Sequence, residues 1–357
     1  MQHRLANDTF GFVRGLTLRT PGVAIQDVRI GVARVHDPLD WDTPACRLQI
    51  SGDTAQVLFD RPDNWARFGF DILAAAAGDG ASGQAATAAP LGRLEMLAPE
   101  PEAAVRERLR GSRIAFLGTA RDCARALPAS IQRLRELGSL FGAHEIHVYE
   151  NDSQDATGTL LEQMAGDRLL QLQREQGIAA RMPRRTERLA YGRNRLLDAV
   201  LARGPWDYIA WADLDGLVGP RFSTEGFLSN FQYEPVWDAV FPLSWPLYYD
   251  TWALREDHFC RDDYVWDGQH RLNAALFDGR DIHAATQILA PQRVKGWVPV
   301  RSAFGGFGLY KGAIASRGRY AGLVHGREVC EHVPYHAALQ AAGARLYLNP
   351  QCLTHIA

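Results

Sequence analysis

Between residues 111 and 212 the chain alternates short apolar runs with longer amphipathic stretches. Residues 113–119, Arg-Ile-Ala-Phe-Leu-Gly-Thr, predict a strand, as do 144–149, 168–173 and 206–211. Residues 128–140, 157–164 and 189–201 predict the helices between them. Strands that alternate with helices at this spacing need crossover connections, so they form a mainly parallel sheet whose ligands bind at the carboxyl ends of the strands. The pattern nearer the amino terminus differs. Residues 23–32, 47–50, 56–59 and 67–72 are rich in Val, Ile and Phe and are separated by Gly, Pro, Asp and Asn, which favours strands. The chain thus reads as a small β-rich domain over 1–95 and an α/β domain over 111–357. A linker with a short helix joins them at 96–110, where Pro101 marks the helix start. The Ala, Gly, Ser and Pro stretch over 74–100 carries few large side chains and supports that division. Trp41, Trp65 and Phe68 in the first domain read as core first and as ligand contacts second.

Composition narrows the class. The 357 residues hold 39 Lys and Arg against 41 Asp and Glu, a formal charge of −2, with 46% hydrophobic residues. That is enough apolar material for a substantial core, and it lacks the basic footprint of a general nucleic-acid binder. The amino terminus shows no apolar stretch of signal-peptide length and no window reaches the ~18 apolar residues of a membrane helix, so a cytoplasmic protein is expected. A peripheral role at the inner membrane surface stays compatible with this. Five scattered cysteines without a CxxC pair suggest neither a disulfide framework nor a zinc site.

Polar clusters close several of the strands. The second runs into Glu150-Asn151-Asp152-Ser153-Gln154-Asp155-Ala156-Thr157, just before a helix. Such a group can cap the helix, or it can accept from a nucleobase edge and from sugar hydroxyls. The fourth ends in Asp213-Leu214-Asp215. Two carboxylates this close repel, and a hard divalent ion such as Mg²⁺ or Mn²⁺, which also takes phosphate oxygens, is the economical way to keep both ionised.

The order of strand, Glu-Asn-Asp-Ser cluster, helix bearing Tyr191-Gly192-Arg193-Asn194, strand and Asp213-x-Asp215 resembles the GT-A fold of nucleotide-sugar glycosyltransferases. Within it the chain is most similar to the fungal capsule-associated α-mannosyltransferase group. The matching segments are Tyr149 to Asp155, Arg193-Asn194, Tyr249-Asp250-Thr251-Trp252, Ser302 to Gly308, and Cys330-Glu331-His332-Val333. The resemblance covers about 111–357 and leaves 1–95 outside. It implies that Thr119, Arg121 and Asp122, with Glu150, Asp152 and Asp155, surround the nucleoside, and that Arg193 and Asn194 reach the donor. It further implies that Asp215 is the firmer metal ligand, with Asp213 on ribose or on the metal through water. His355 is a further metal ligand by the same analogy, or else a frayed terminal residue.

Sugar transfer from a nucleoside diphosphate breaks a bond to a charged leaving group, so a bound cation is the largest electrostatic help available. An inverting enzyme also needs a base for the acceptor hydroxyl, and Glu331 is the candidate. In a retaining enzyme, as the resemblance implies, Glu331 orients the acceptor instead; a third reading has it complementing the dipole of the following helix. The aromatic region from Trp237 to Trp266, including Trp245, Tyr249, Trp252 and Tyr264, can wall a sugar or fill a core. Gly305 and Gly306 suit close backbone approach to a sugar, and His332 belongs to the same wall. The basic run Arg181-Met182-Pro183-Arg184-Arg185-Thr186-Glu187-Arg188 suits a diphosphate, anionic lipid headgroups or a solvated loop. The expected partners are a nucleoside-diphosphate sugar, GDP-mannose first and a UDP-sugar second, and a glycan or lipid-linked acceptor. Two rivals are a sugar nucleotidyltransferase and a non-catalytic carbohydrate-binding protein on a degenerate GT-A scaffold.

Overall fold

The computed structural model describes residues 2–6, 11–33, 43–63, 67–74, 91–166, 169–257, 260–261, 263, 289–294 and 296–356. Trp41, Trp65, most of the small-residue stretch after Ala74, Asp262, Tyr264, Trp266 and the side chain of Phe68 lie outside the described residues. The chain divides into two compact units, Met1–Pro99 and Glu100–Ala357.

The first unit contains β1 (Gln2–Ala6), β2 (Val13–Arg19), β3 (Ile25–Ala33), β4 (Cys46–Ser51), β5 (Thr54–Asp63), β6 (Arg67–Ala74) and β7 (Leu91–Met96). They form two antiparallel sheets among the described residues, ordered β1-β6-β3 and β4-β5-β2-β7. Strand β5 shows why. Ala55, Val57 and Phe59 are buried while Gln56, Leu58 and Asp60 are exposed, the period-two alternation of a sheet with one wet face. Leu16 and Leu18 of β2 and Ile30 and Val32 of β3 join the same core, so the two sheets face each other as a sandwich.

The second unit opens with α1 (Glu102–Arg110), β8 (Arg113–Ala120), α2 (Leu127–Gly138), β9 (Ala143–Asn151), α3 (Thr157–Met164) and β10 (Leu170–Glu175). It continues with α4 (Ile178–Arg181), α5 (Arg185–Leu201), β11 (Tyr208–Ala212), α6 (Thr224–Ser229), a 3-10 turn at Asn230–Tyr233 and β12 (Ala239–Trp245). The remainder is β13 (Val298–Pro299), β14 (Phe307–Lys311), α7 (Gly312–Ala315), a two-rung ladder of β15 (Leu323–Val324) and β16 (Arg327–Glu328), α8 (His332–Ala341) and β17 (Leu346–His355). Among the described residues eight strands form one sheet in the order β10-β9-β8-β11-β14-β12-β17-β13. Strands β8, β9, β10 and β11 run parallel, and β14 is inserted antiparallel between β11 and β12. The architecture is therefore α/β with a mainly parallel sheet. None of the described helices is long and apolar enough to cross a membrane.

Strands β8 and β11 are buried almost throughout, which is why their sequences read as unbroken apolar runs rather than alternating ones. From β8 the chain winds outward through β9 to β10, and α5 then brings it back to β11 on the other side of β8. The strand order reverses there, which opens a crevice at the carboxyl ends of β8 and β11. Helix α5 lies close over this crevice because Gly192 faces β9. A Cβ at that position would stand 2.5 Å from a ring carbon of Tyr149.

Candidate active site

A cavity of about 510 Å³ opens at that reversal. Thr119 and Ala120 end β8 and Arg121 to Cys123 follow it, Asp213 to Asp215 follow β11, and Arg185, Arg188 and Arg193 come from α5. Tyr249, Asp250 and Trp252 close one wall, and Phe304 with Cys330, Glu331 and His332 closes another. Of the residues expected from sequence, Thr119, Arg121, Asp122, Arg193, Asp213, Asp215, Tyr249, Trp252, Glu331 and His332 all line it.

The end of β11 is held by backbone geometry. The Asp213 N–H donates to the Gly306 carbonyl at 2.9 Å, and the Gly305 N–H donates to Asp250 Oδ2 at 2.9 Å. Gly305 and Gly306 have φ of +65° and +84°, so glycine is required for this turn, which sits behind the acids rather than in the cavity lining. A Cβ on Gly306 would meet Leu217 at 2.7 Å.

Arg193 is 3% exposed, and its Nε donates to Glu331 Oε1 at 3.0 Å while Nη2 stands 3.7 Å from Asp213 Oδ1. Its guanidinium lies 5.1 Å from the ring centre of Trp211, 5.0 Å from that of Phe304 and 5.7 Å from that of Tyr320, so three rings box it in. The cavity floor thus carries Asp213, Asp250 and Glu331 around one arginine. Burial, with Asp215, Asp250 and Glu331 adding repulsion against the pull of Arg193, pushes the Asp213 carboxyl up to about 7. Burial likewise raises Asp250, against the Gly305 N–H bond. His332 is buried, stacks on Phe304 at 3.9 Å between ring centres, and is held neutral by burial and by Arg193.

Other expected donor contacts are engaged elsewhere. Glu150 is fully buried, accepts from Arg174 Nε at 2.6 Å and from the Ser153 N–H at 2.9 Å, and does not line the cavity. Asp155 accepts from the Thr157 and Ala124 N–H groups at 2.9 and 3.0 Å, tying the start of α3 to the loop after β8. Asn194 makes a two-way bond to the Tyr320 backbone, donating at 2.9 Å and accepting at 2.9 Å. Trp245 is 46% exposed and outside the lining. His355 stands opposite Trp245 in the β12–β17 register, also outside the lining, and burial with Arg221 holds its imidazole below the usual range.

Asp152 is a structural clamp with φ +53°. Its carboxylate accepts from the Gly177 N–H at 2.5 Å, the Ala179 N–H at 2.7 Å and Asn151 Nδ2 at 3.0 Å. Burial opposes the charge, but these donors overcome it and hold the carboxyl below its ordinary 3.8. A lowered folded value stabilises the protein above the unfolded value and stops doing so as pH falls through the folded one. Asp152→Asn is therefore expected to cost about 1–3 kcal/mol at pH 7. The gap to the parent should shrink below about pH 4 in denaturant titrations; a gap that stays constant down to pH 2.5 would exclude the charge as its origin.

Asp250, which the sequence left without a role of its own, also lines the cavity, and so do Arg185 and Arg188, for which a diphosphate, lipid headgroups or a solvated loop stood open. Asp250 stood inside the quoted Tyr-Asp-x-Trp segment, and the two arginines stood inside the basic run. Among the described residues no three His, Cys, Asp or Glu side chains gather closely enough to hold a metal by themselves. Asp213 and Asp215 still suit a hard divalent ion, because Mg²⁺-like ions are commonly held by one or two carboxylates completed by water and substrate phosphate.

No protein-family model matches this chain, and no curated protein matches it. Among solved structures it is similar to a mannosyltransferase from Pyrobaculum calidifontis in complex with GDP-Man and Mn²⁺, at 14% identity and a TM-score of 0.43. That match covers 73% of this chain and 59% of the other, less than two thirds of its length. A glucosyl-3-phosphoglycerate synthase from Mycobacterium tuberculosis, in complex with Mn²⁺, UDP and phosphoglyceric acid, matches at 12% identity over 68% of each chain, with a TM-score of 0.36. TarS of S. aureus matches at 8% identity over 68% of this chain and 60% of that one, with a TM-score of 0.38.

Proposed function

We propose that the chain is a metal-dependent GT-A glycosyltransferase that moves a hexose from a nucleoside diphosphate to a glycan or glycoconjugate acceptor. The observation that carries this reading is the placement of Asp213 and Asp215 at the carboxyl end of β11, beside the end of β8 and facing an arginine-bearing helix across one cavity. That is where an α/β sheet takes a nucleotide, and carboxylates opposite arginines suit a diphosphate bridged to a cation. A divalent ion on Asp213 and Asp215 would neutralise charge on the departing diphosphate.

The chain's own groups have distinct tasks. Thr119, Arg121 and Asp122 edge the nucleotide end of the cavity, while Tyr249 and Trp252 give the sugar an aromatic wall. Glu331 is the acid closest to the role of acceptor base or acceptor anchor, and Arg193 holds it in one orientation. Mannose and GDP are the first donor choice, a UDP-sugar the second, on the resemblance to the capsule-associated mannosyltransferases alone. Glu150, Asp152, Asp155, Asn194 and His355 enter this reading as scaffold rather than ligands.

A thermal-shift panel tests it. GDP-, UDP-, dTDP- and CMP-linked sugars are each added with and without Mn²⁺. A ligand at 100 times its Kd stabilises the folded state by about 2.7 kcal/mol, and one donor is expected to do so with a clear dependence on Mn²⁺. Silence from every donor, with a positive control shifting normally, would remove the glycosyltransferase reading and favour carbohydrate binding without catalysis.

A further inference from the structure

We propose a second anion subsite at the cavity mouth, in which Arg185 and Arg188 of α5 take a phosphate of the donor's diphosphate without help from a divalent cation. It rests on the reading above for the identity of the ligand.

The cavity is lined by four arginines among the described residues, and they fall into two kinds. Arg121 stands 3.5 Å from Asp122, and Arg193 is bonded to Glu331 at 3.0 Å, so each already has an acid. Arg185 is exposed and has no hydrogen bond or ion pair among the described residues. Arg188 uses only Nη1, which donates to the Met182 and Pro183 carbonyls at 2.8 and 2.6 Å. Those two bonds fix the plane of its guanidinium and leave Nε and Nη2 without a partner among the described residues, on a side chain that lines the cavity. An arginine held in this way loses less freedom when it forks onto a phosphate.

These cations stand against the stability of their own helix. Arg184, Arg185 and Arg188 surround the amino end of α5, where the backbone already presents positive charge and acidic residues are the stabilising choice. The start of the helix is held by acids from elsewhere on it and beyond it: Glu187 lies in its first turn, and Glu328 Oε1 accepts from the Thr186 N–H at 3.4 Å and from Thr186 Oγ1 at 2.9 Å. Two turns deeper on the same helix, Arg193 Nη1 is buried and without a partner in the same cavity. The helix therefore offers unsatisfied guanidinium donors from mouth to floor.

Charge balance says what they are for. A divalent ion seated on Asp213 and Asp215 is cancelled by those two carboxylates, so the two charges of a bound diphosphate still need a counter-charge. Arg185 and Arg188 supply two, with no acid paired to them among the described residues.

The test measures binding of GDP, UDP and inorganic pyrophosphate by calorimetry, in EDTA and in Mn²⁺. It compares the parent with Arg185→Gln/Arg188→Gln, Arg185→Lys/Arg188→Lys and the single variant Arg185→Glu. Arg185 is exposed and unpaired among the described residues, so the single variant keeps the fold even if the change at Arg188 loosens the loop before α5. In EDTA the parent is expected to bind pyrophosphate and one nucleoside diphosphate. The glutamine pair should weaken both at least 10-fold, Arg185→Glu should weaken them as much, and the lysine pair should retain part of the affinity. Equal affinities in parent and variants, or no binding to the parent in EDTA, would overturn the subsite. If a nucleoside diphosphate binds only with Mn²⁺ and ignores the arginine changes, the subsite falls while the glycosyltransferase reading stands. If pyrophosphate binds through the arginines and no nucleoside diphosphate binds under any condition, the subsite stands and that reading falls.

Discussion

Asp215→Ala is expected to lower kcat/KM by at least ~10³-fold, about 4 kcal/mol of transition-state stabilisation, while leaving the melting temperature within a degree or two of the parent. The two halves of that result come from the same geometry. Asp215 is exposed on the loop after β11 and lines the cavity, so the fold loses little when its carboxylate is removed. Its removal also relieves repulsion on Asp213, which Asp215 helps to push up. A residue that costs the fold charge repulsion and returns no packing is kept for what it binds. Turnover is measured with whichever donor stabilises the parent, alongside a Mn²⁺ titration of the melting temperature. Asp215→Ala should lose the Mn²⁺-dependent part of the donor shift together with activity. Parent-like turnover in this variant would end the case for a cation seated on the Asp-x-Asp pair.

The parallel half of the sheet was legible because burial on both faces leaves an unmistakable trace. Ile114 to Leu117 and Tyr208 to Ala212 are continuous apolar runs, and the polar residues that follow them fall at strand ends. The other half was hidden by its own irregularities. Strand β12 contains Pro242 at a register shift against β17, β17 contains Pro350, and β14 begins just after the Gly305-Gly306 turn. Proline and glycine argue against a strand unless a bulge or bend is known to be there. In the amino-terminal unit, β5 shows clean alternation, whereas β1, β2 and β7 carry Arg, Gly or Glu among few apolar positions and gave no distinct signal.

The chemistry was legible by residue type more than by partner. The sequence places acceptors after β9, but only the folded chain shows that Glu150 is matched by Arg174 and Asp152 by the backbone of 177 and 179. The capping reading of that cluster is met only in part: Ala156 is the N-cap, and the Asp155 carboxylate, one residue earlier, accepts from the Thr157 N–H. Arg193 was expected to reach the donor; it lines the cavity, bonded to Glu331 and enclosed by rings from β11, the Phe304 turn and the segment before β15. Partners brought from 138 residues away leave no periodicity to read.

That buried pair makes the second large prediction. Arg193→Met is expected to destabilise the protein by about 3–5 kcal/mol, because it strands Glu331 among Asp213 and Asp250 with no compensating charge. Denaturant midpoints at pH 7 measure this, with Arg193→Met/Glu331→Leu as the second arm. The double change replaces both charges by apolar side chains in a site already walled by Trp211, Phe304 and Tyr320. It is expected to recover most of the lost stability, since a buried ion pair usually gives back in attraction little more than it costs in desolvation. Activity should stay absent in both variants. The divergence separates the two functions of the pair: a fold that returns without turnover means that Arg193 and Glu331 are retained for chemistry at the cavity floor. If Arg193→Met unfolds at the parent midpoint, the 3.0 Å contact does not hold Glu331 in place, and Glu331 loses its claim to a fixed position beside the acceptor.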